Sequence, residues 1–585
     1  MSQEKEVLLK EAIATQPKHW IRLTTACNNR CLFCLDANTP RDREFDEESI
    51  KEELRWGREE KGALKVVLSG GEPTVHRHFV SLVRYAREIG YERVQIVSNG
   101  VRLGENKAFF AECLDAGLNE ITFSLHGHTA ALHDKLTRNP GSFKKLMKAL
   151  IRALRDGRPV VNVDVVINRQ NVEVLDKIVE LAIAVGVTEF DLLHIIPQGE
   201  AYRHRAELFY NPRDHLKTLQ KVFALSRHPR FYVWTNRFPI PFLEGMEDLI
   251  QDPHKILDEI RGRRFQIRKY LDRGEPLSCR EKDRCKFCFI EPFCTTMDRV
   301  IHGQNKADYD VWWIGDVDVD LAQMELPFGC TYVGVDHTRL EQLDLPPHTG
   351  LYVQVEHAEP VGPGDNRDSR PTVLVAQKAQ HLETWLAEPL PRSVLLEIQL
   401  NNDTATWMVE HRSLVENQLP QLHLHLPPAP GLKEAMELQD PRAFFAKLQL
   451  PIRASGLPAC LMPGAIPASR LKMLPKALFD GETGRIDLFA LAHHHIQYGY
   501  CGKSCRCDDC RLNRVCDGLQ VNWVRVFGLA ALQPLLEGEE VLAPSTPLRL
   551  ATGRTAEPAA PSLPGFPEAP EPPEDPLALA YQEED

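Results

Sequence analysis

The strongest constraint on the fold is a rhythm in residues 18–200, where six short apolar, β-branched segments alternate with longer amphipathic ones. The six segments cover residues 20–25, 64–69, 93–98, 120–125, 160–167 and 190–196. A spacing of about 25 to 40 residues is typical of βα units, whose strands pair in parallel. The sequence therefore predicts an α/β core, a partial (β/α)6 barrel open on one side. In such folds reactive groups gather at the carboxyl ends of the strands.

Three cysteines, Cys27, Cys31 and Cys34, follow the first predicted strand. Closely spaced thiolates bind soft metal centres, among them iron–sulfur clusters. Each thiolate of a [4Fe–4S] cluster binds one iron, so three cysteines leave one iron open to a substrate or cofactor. A zinc site needs a fourth ligand, and the next Cys or His along the chain is His76. The triplet therefore indicates an iron–sulfur cluster with an open iron, and the alternative is a zinc site or a coincidental spacing.

A second motif, Gly70-Gly71-Glu72-Pro73, comes directly after the second predicted strand. Glycines carry no side chain, so backbone groups can approach a ligand closely there. Taken alone, the run predicts only a turn. Its position at the carboxyl end of a strand gives it a place in the predicted site.

The CX3CX2C triplet followed by Gly-Gly-Glu-Pro on a βα repeat resembles the radical S-adenosylmethionine (radical SAM) enzymes over about residues 18–200. The resemblance implies that the triplet holds the catalytic [4Fe–4S] cluster. It implies that Gly70, Gly71 and Glu72 hold the methionyl amine of S-adenosylmethionine. Ser98, Ser124 and Asn162 are candidates for further cofactor contacts, and the alternative for each is a strand-end turn or core residue.

The resemblance also implies a reaction. An electron donor such as flavodoxin or ferredoxin reduces the cluster, S-adenosylmethionine is cleaved reductively, and a 5′-deoxyadenosyl radical abstracts hydrogen from the substrate. In such chemistry the cofactor carries the difficult step, while the protein positions atoms and excludes water. The chain is accordingly expected to be an enzyme.

Two later groups of cysteines share the spacing CX2CX5C, at 285–294 and 507–516. This spacing resembles part of the SPASM and twitch extensions, which hold auxiliary iron–sulfur clusters in many peptide-modifying radical enzymes. Those extensions continue with a further cysteine after three residues, where this chain has Asp298 and Gln520. A structural zinc site is the alternative for each group. The candidate ligands are Cys279, Cys285, Cys288, Cys294, Cys501, Cys505, Cys507, Cys510 and Cys516, with Cys460 as a further possibility.

Composition divides the rest of the chain. We expect an N-terminal extension, a helical bridge with the first later cysteine group, a small α/β insert, a SPASM-like cysteine-rich region and a disordered tail. The insert has strand-like segments at 372–376, 393–400 and 422–426, and the tail is rich in Pro and acidic residues. The N-terminal extension covers residues 1–17, the helical bridge 201–300, the insert 301–440, the SPASM-like region 441–550 and the tail 551–585.

Charge and hydropathy exclude some classes of function. The net charge of −12 argues against broad binding to nucleic acid or to anionic membranes. No apolar run is long enough for a membrane helix, and the first residues lack a signal-peptide pattern. From these two observations we expect a cytoplasmic protein, and in such a protein clustered cysteines favour metal sites over disulfides.

The leading functional hypothesis is hydrogen abstraction from a peptide or protein substrate, which rests on the resemblance alone. A second hypothesis is a radical SAM enzyme that acts on a small molecule in cofactor biosynthesis. A third is an iron–sulfur electron carrier or scaffold without turnover. The Gly-Gly-Glu-Pro run argues against the third, because a carrier needs no seat for a methionyl amine.

Overall fold

The structure is a computed structural model, and it divides into two compact units that are described separately. The predicted N-terminal extension lies outside the described residues except at positions 12, 16 and 17, and the predicted tail lies wholly outside them. The structure describes residues 12, 16–36, 42–285, 287–305, 308–315, 326–338, 345, 349–355, 370–481 and 483–538.

The first unit, which includes described residues up to 252 and residues 279–289, contains a seven-stranded sheet. All neighbouring strands are parallel and follow one another in chain order. The strands are β1 (Lys18–Thr24), β2 (Lys65–Gly70), β3 (Arg93–Ser98), β4 (Glu120–Ser124), β5 (Val160–Ile167), β6 (Glu189–His194) and β7 (Tyr232–Asn236).

The predicted α/β core with a parallel, open sheet is confirmed, and the six predicted strands correspond to β1–β6. The structure adds β7, which pairs with β6 inside the segment predicted as a helical bridge. In β7 the exposed Tyr232 and Trp234 alternate with the buried Val233 and Thr235, and its strand-favouring residues lie within a longer, mostly polar segment. Within the described residues β1 and β7 are the edges of the sheet and do not pair with each other.

Helices between the strands cover one face of this sheet, the outer face. The first of them, Glu47–Glu59, begins where the side chain of Asp46 accepts a hydrogen bond from the backbone N–H of Ser49, and it buries Ile50 and Leu54. The others include Phe79–Glu88, Val101–Glu105, Lys107–Asp115, Ala130–Thr137, Ser142–Asp156, Leu175–Val185, Gly199–Arg203, Arg205–Leu208 and Leu216–Phe223. A further helix of this unit, Lys282–Cys285, follows β7 in the chain.

Alternation along the strands separates the two faces. In β5 the side chains of Val163 and Val165 are fully buried toward the helices, whereas Asn162 and Asp164 lie on the opposite, inner face. Polar residues on the inner face of a sheet without a closed interior point to a binding surface rather than to a core.

The second unit, with described residues 253–278 and 290–538, contains a nine-stranded parallel sheet. Its spatial order is β15-β14-β13-β12-β11-β10-β9-β8-β16. The strands are β8 (Val311–Gly315), β9 (Tyr332–Asp336), β10 (Gly350–Gln354), β11 (Thr372–Ala376), β12 (Val394–Gln399), β13 (Leu422–His425), β14 (Arg453–Ser455), β15 (Ile466–Pro467) and β16 (Met473–Pro475).

The three strands predicted for the small insert are β11–β13, the middle of this larger sheet. Because β13 pairs with β14, the boundary predicted at residue 440 falls inside one sheet. A core of Val311, Tyr332, Tyr352 and Leu395 packs the sheet. The strands that sequence patterns missed are short, and several are bordered by residues outside the described part of the chain.

Helices of the second unit include Ile256–Arg273, Glu291–Asn305, Ala379–Trp385, Asn402–Glu410, Arg412–Asn417, Leu432–Glu437, Pro441–Leu448, Leu488–His494 and Val521–Phe527. The last cysteine group lies around a two-stranded antiparallel hairpin of β17 (Cys501–Gly502) and β18 (Leu519–Gln520). Among the helices of the described residues, none has the length and apolar character needed to cross a membrane.

Candidate active site

The loop after β1 carries the triplet at the carboxyl edge of the first sheet. All three thiols, of Cys27, Cys31 and Cys34, are half-buried. The loop is anchored to helix Ala130–Thr137, because Arg30 N donates to Thr137 O (3.0 Å) and Leu32 N donates to Leu136 O (2.9 Å). These backbone bonds fix the loop while leaving its thiols accessible.

Gly70 and Gly71 bring the next strand end against the start of this loop. Gly71 N donates to Thr24 O (2.8 Å), and Glu72 N donates to Ala26 O (2.9 Å), the residue before Cys27. A Cβ on Gly70 would lie 2.2 Å from Thr24 O, and a Cβ on Gly71 would lie 2.3 Å from Ala26 O. The glycines are therefore required by a close approach between two backbones of this chain. We call these two hydrogen-bonded contacts the glycine latch.

The carboxylate of Glu72 is enclosed by the protein, with 1% of the residue exposed. Its Oε1 accepts from Thr74 Oγ1 (2.6 Å), Thr74 N (3.2 Å) and Ser98 Oγ (2.9 Å), and its Oε2 accepts from Asn99 N (2.8 Å). Four hydrogen bonds match the acceptor capacity of a carboxylate. Burial raises the pKa of Glu72, and these hydrogen bonds act in the opposite direction.

Ser98, predicted as a cofactor contact, is buried, and its hydroxyl donates to Glu72 and accepts from Gly100 N (3.0 Å). Its neighbour Asn99 reaches the triplet instead: Asn99 Nδ2 donates to Asn28 Oδ1 (2.6 Å) and lies 3.8 Å from Cys27 Sγ. Sequence reasoning missed Asn99. Asn99 directly follows Ser98 at the end of β3, so the position after a strand that made Ser98 a candidate also indicated Asn99.

The other two predicted contacts lie on the inner face of the sheet. The side chain of Ser124, at the end of β4, donates a hydrogen bond to Asp164 on β5. Asn162 pairs in register with Thr122 and Glu189, one step closer to the amino ends of the strands. The structure therefore brings Ser124 to the carboxyl edge and places Asn162 deeper in the sheet.

Asp164 and Asp191 are inner-face residues that sequence reasoning missed. They are directly paired in register on β5 and β6. The pKa of Asp164 is raised to about 7. Burial is the main cause and the charge of Asp191 acts in the same direction, whereas the hydrogen bond from Ser124 acts in the opposite direction. The signal was a polar residue two positions before each of them, Asn162 before Asp164 and Glu189 before Asp191, in strands that are otherwise mainly apolar.

Comparison with known proteins assigns the first unit. Residues 21–182 match the family model described as the Radical SAM superfamily. These residues form a radical SAM domain. This confirms the family that the sequence resembles, a superfamily of enzymes that use a [4Fe–4S] cluster and S-adenosylmethionine.

Two curated relatives match within the same region. A probable GTP 3′,8-cyclase of Saccharolobus solfataricus is 31% identical over 202 residues, which are 34% of this chain and 62% of that protein. A probable GTP 3′,8-cyclase of Sulfurisphaera tokodaii is 26% identical over 219 residues, 36% of this chain and 68% of that protein. The chain thus spans less than two thirds of the length of the first relative.

Among solved structures, Streptococcus suis SuiB bound to the precursor peptide SuiA aligns with a TM-score of 0.32 at 16% identity. That alignment covers 40% of this chain and 52% of SuiB. Methylornithine synthase (PylB) aligns with a TM-score of 0.31 at 17% identity, over 40% of this chain and 72% of the other.

The residues of the radical SAM domain fit the cluster that this family uses. Three thiols on one anchored loop are a suitable soft donor set, and Asn29 N donates to Cys27 Sγ (3.4 Å), as N–H groups do to cluster sulfurs. In the described part of the chain no three His, Cys, Asp or Glu side chains converge on one metal ion.

Later cysteines lie in both units. Cys279, Cys285 and Cys288 belong to the first unit, whereas Cys294 is buried in helix Glu291–Asn305 of the second. Asp298, which replaces the further cysteine expected in that extension, accepts a hydrogen bond from Tyr270 Oη (2.5 Å).

The last group gathers around Cys460. The pKa of Cys460 is raised to about 11, chiefly by burial and in smaller part by the nearby thiols of Cys516, Cys507 and Cys510. Backbone N–H groups point at two of these sulfurs, from Gly518 to Cys516 (3.3 Å) and from Leu535 to Cys510 (3.4 Å). The structure thus brings a residue distant in sequence next to the CX2CX5C run.

Proposed function

We propose that the chain is a radical SAM enzyme that modifies a peptide or protein. The radical SAM part of the proposal is supported by the glycine latch, which joins the strand end of Gly70–Glu72 to the residue before the three-thiol loop. The peptide or protein substrate is supported by the CX2CX5C spacing, which resembles part of the SPASM and twitch extensions. Cys27, Cys31 and Cys34 would hold the [4Fe–4S] cluster on the loop that this strand end contacts. When bound there, the cluster and S-adenosylmethionine supply radical hydrogen abstraction.

Each residue of the site has a proposed role. We assign the methionyl amine to the backbone of Gly70, Gly71 and Glu72, because the Glu72 carboxylate is already occupied by protein donors. Asn99 orients the loop through Asn28 and acts as a positioning residue. Ser124 retains its proposed contact with the cofactor, since its hydroxyl is half-buried at the carboxyl edge.

The later cysteines are proposed to hold auxiliary iron–sulfur clusters. For the second unit we propose Cys460, Cys507, Cys510 and Cys516 as the ligand set, supported by the electrostatic proximity of the four thiols. Iron and sulfide counts on a triple variant of the first triplet test this. Residual iron that falls further on Cys460→Ala supports the assignment, whereas zinc in place of iron contradicts it.

A small-molecule substrate is the second candidate, because the curated relatives are named probable GTP 3′,8-cyclases. Direct incubation with GTP distinguishes the two. The peptide proposal expects no cyclised nucleotide, and its formation would establish the small-molecule alternative.

The decisive assay is reductive cleavage of S-adenosylmethionine by the anaerobically reconstituted, reduced protein, with 5′-deoxyadenosine measured by mass spectrometry. We expect product from the wild type and none from the triple variant Cys27→Ala, Cys31→Ala, Cys34→Ala. Cys113→Ala is the matched control, because Cys113 is a buried cysteine in helix Lys107–Asp115. No product from wild-type protein with a fully loaded cluster would favour the electron carrier or scaffold.

A further inference from the structure

One row of side chains crosses the inner face of four neighbouring strands in the first unit. The register pairs Ser124 with Asp164, Asp164 with Asp191, and Asp191 with Trp234. Residues paired in register on parallel strands point to the same face. The row therefore places two carboxylates side by side on the face that the helices leave uncovered.

Two acceptor atoms on this face are buried without a partner among the described residues, Asp164 Oδ1 and Asn162 Oδ1. Both residues are only 8% exposed, and they are two positions apart on β5. A buried acceptor left without a donor costs about 1–3 kcal/mol. Two such atoms on one face indicate that a donor from outside the chain completes the site.

The charge of the face selects the kind of donor. Three cations on this face are already paired: Lys65 and Arg93 with Glu120 (2.7 and 2.8 Å), and Arg22 with Asp36 (2.7 Å). The charge of Asp191 disfavours ionisation of the neighbouring Asp164, so a cation bound beside both carboxyls relieves this repulsion. Such a row attracts a cation and repels a polyphosphate.

Aromatic side chains border the row at the edge strand β7. Trp234 is 42% exposed and stacks with Tyr232, which is 50% exposed, at a ring-centroid distance of 6.2 Å. The face of an indole or phenol ring attracts ammonium and guanidinium groups. Carboxylates and aromatic rings therefore favour the same ligand chemistry.

We propose that Asp164 and Asp191, with Trp234 beside them, bind an ammonium or guanidinium group of the substrate, the side chain of a Lys or Arg in a peptide. The inference rests on the proposed peptide-modifying function and deepens it by naming the side chain recognised. Ser124 acts as a positioning residue, because its hydrogen bond orients the Asp164 carboxyl.

The test uses two neutral-capped probes that differ in charge, N-acetyl-lysine methylamide and N-acetyl-norleucine methylamide. Their binding to reconstituted holoenzyme with S-adenosylmethionine present is measured anaerobically by equilibrium dialysis. We expect the lysine probe to bind at least tenfold more tightly than the norleucine probe. Asp164→Asn and Asp191→Asn should each weaken the lysine probe at least tenfold and leave the norleucine probe unchanged.

Glu112→Gln, an exposed carboxylate on helix Lys107–Asp115, is the matched control and should bind both probes as the wild type does. Circular dichroism and iron content show whether each variant is folded. Equal binding of the two probes to wild-type protein that still forms 5′-deoxyadenosine overturns this inference and leaves the proposed function intact. Absence of 5′-deoxyadenosine from the wild type contradicts the proposed function instead, whichever probe binds.

Discussion

Replacement of Glu72 by Gln separates two roles for this carboxylate, ligand binding and support of the protein. Its two oxygens each accept a backbone N–H, Oε1 from Thr74 (3.2 Å) and Oε2 from Asn99 (2.8 Å). A glutamine has only one oxygen. In either orientation of the amide, its NH2 group therefore faces one backbone N–H, whereas the hydroxyls of Thr74 and Ser98 can rotate to accept.

The magnitude follows from that count. Glu72→Gln leaves at least one buried N–H unpaired, which costs about 1–3 kcal/mol. When these amides exchange through a local opening whose equilibrium sets the rate, the cost converts directly into a faster exchange. The amides of Thr74 and Asn99 should then exchange with deuterium about 5- to 150-fold faster, since about 1.4 kcal/mol is a factor of ten.

The assay is hydrogen–deuterium exchange on the cluster-loaded protein without S-adenosylmethionine, read on peptides that cover residues 72–75 and 98–100. Glu88→Gln, an exposed carboxylate at the end of helix Phe79–Glu88, is the control and should leave exchange unchanged. Unchanged exchange in Glu72→Gln would refute the reasoning, because a carboxylate that serves only the ligand has no effect before the ligand binds.

Three further predictions concern other parts of the chain. Because the pKa of Asp164 is raised to about 7 in the folded chain, the free energy of unfolding should fall by up to about 4 kcal/mol as pH rises from about 4 to about 7. Asp164→Asn should remove this fall, as measured by urea unfolding at several pH values. Gly71→Ala should sharply lower the iron content of the protein, because the added Cβ would lie 2.3 Å from Ala26 O. Gly262→Ala is the control and should leave the iron content unchanged, because nothing lies within 4 Å of a Cβ at that position. Arg470→Met should lower the free energy of unfolding of the second unit by about 3–5 kcal/mol in urea, because it leaves the buried Glu397 charged and without its cation. A smaller loss in the double variant Arg470→Met, Glu397→Gln would identify the unpaired charge as the cause.

The periodicity of apolar segments predicted most of the first sheet because each strand from β1 to β6 is long enough to show a pattern. Strand β7 was missed although residues 231–235 are aromatic or β-branched, because they lie in a longer segment that was interpreted as mostly helical and polar. In the second unit β14–β16 have only two or three residues, too few for a pattern. Their pairing depends on contacts distant in the sequence.

The candidate site likewise contains residues that sequence patterns identified and residues that only the folded chain brings together. The cysteine triplet and the two glycines are close in sequence to the strands that position them, so their spacing was visible in the sequence and, through the resemblance to radical SAM enzymes, identified them. The partners of Glu72 could not be predicted, because Asn99 lies 27 residues away and donates through its backbone. The proximity of Cys460 to Cys507 depends in the same way on the folded chain.

The most direct test of the central claim, that the triplet holds a cluster whose open iron binds S-adenosylmethionine, is electron paramagnetic resonance of the reduced protein. Spectra are recorded with and without S-adenosylmethionine, for wild type and for the triple variant of Cys27, Cys31 and Cys34. We predict that S-adenosylmethionine changes a signal that the triple variant lacks. A wild-type spectrum that S-adenosylmethionine leaves unchanged, or a change that persists in the triple variant, would contradict the account.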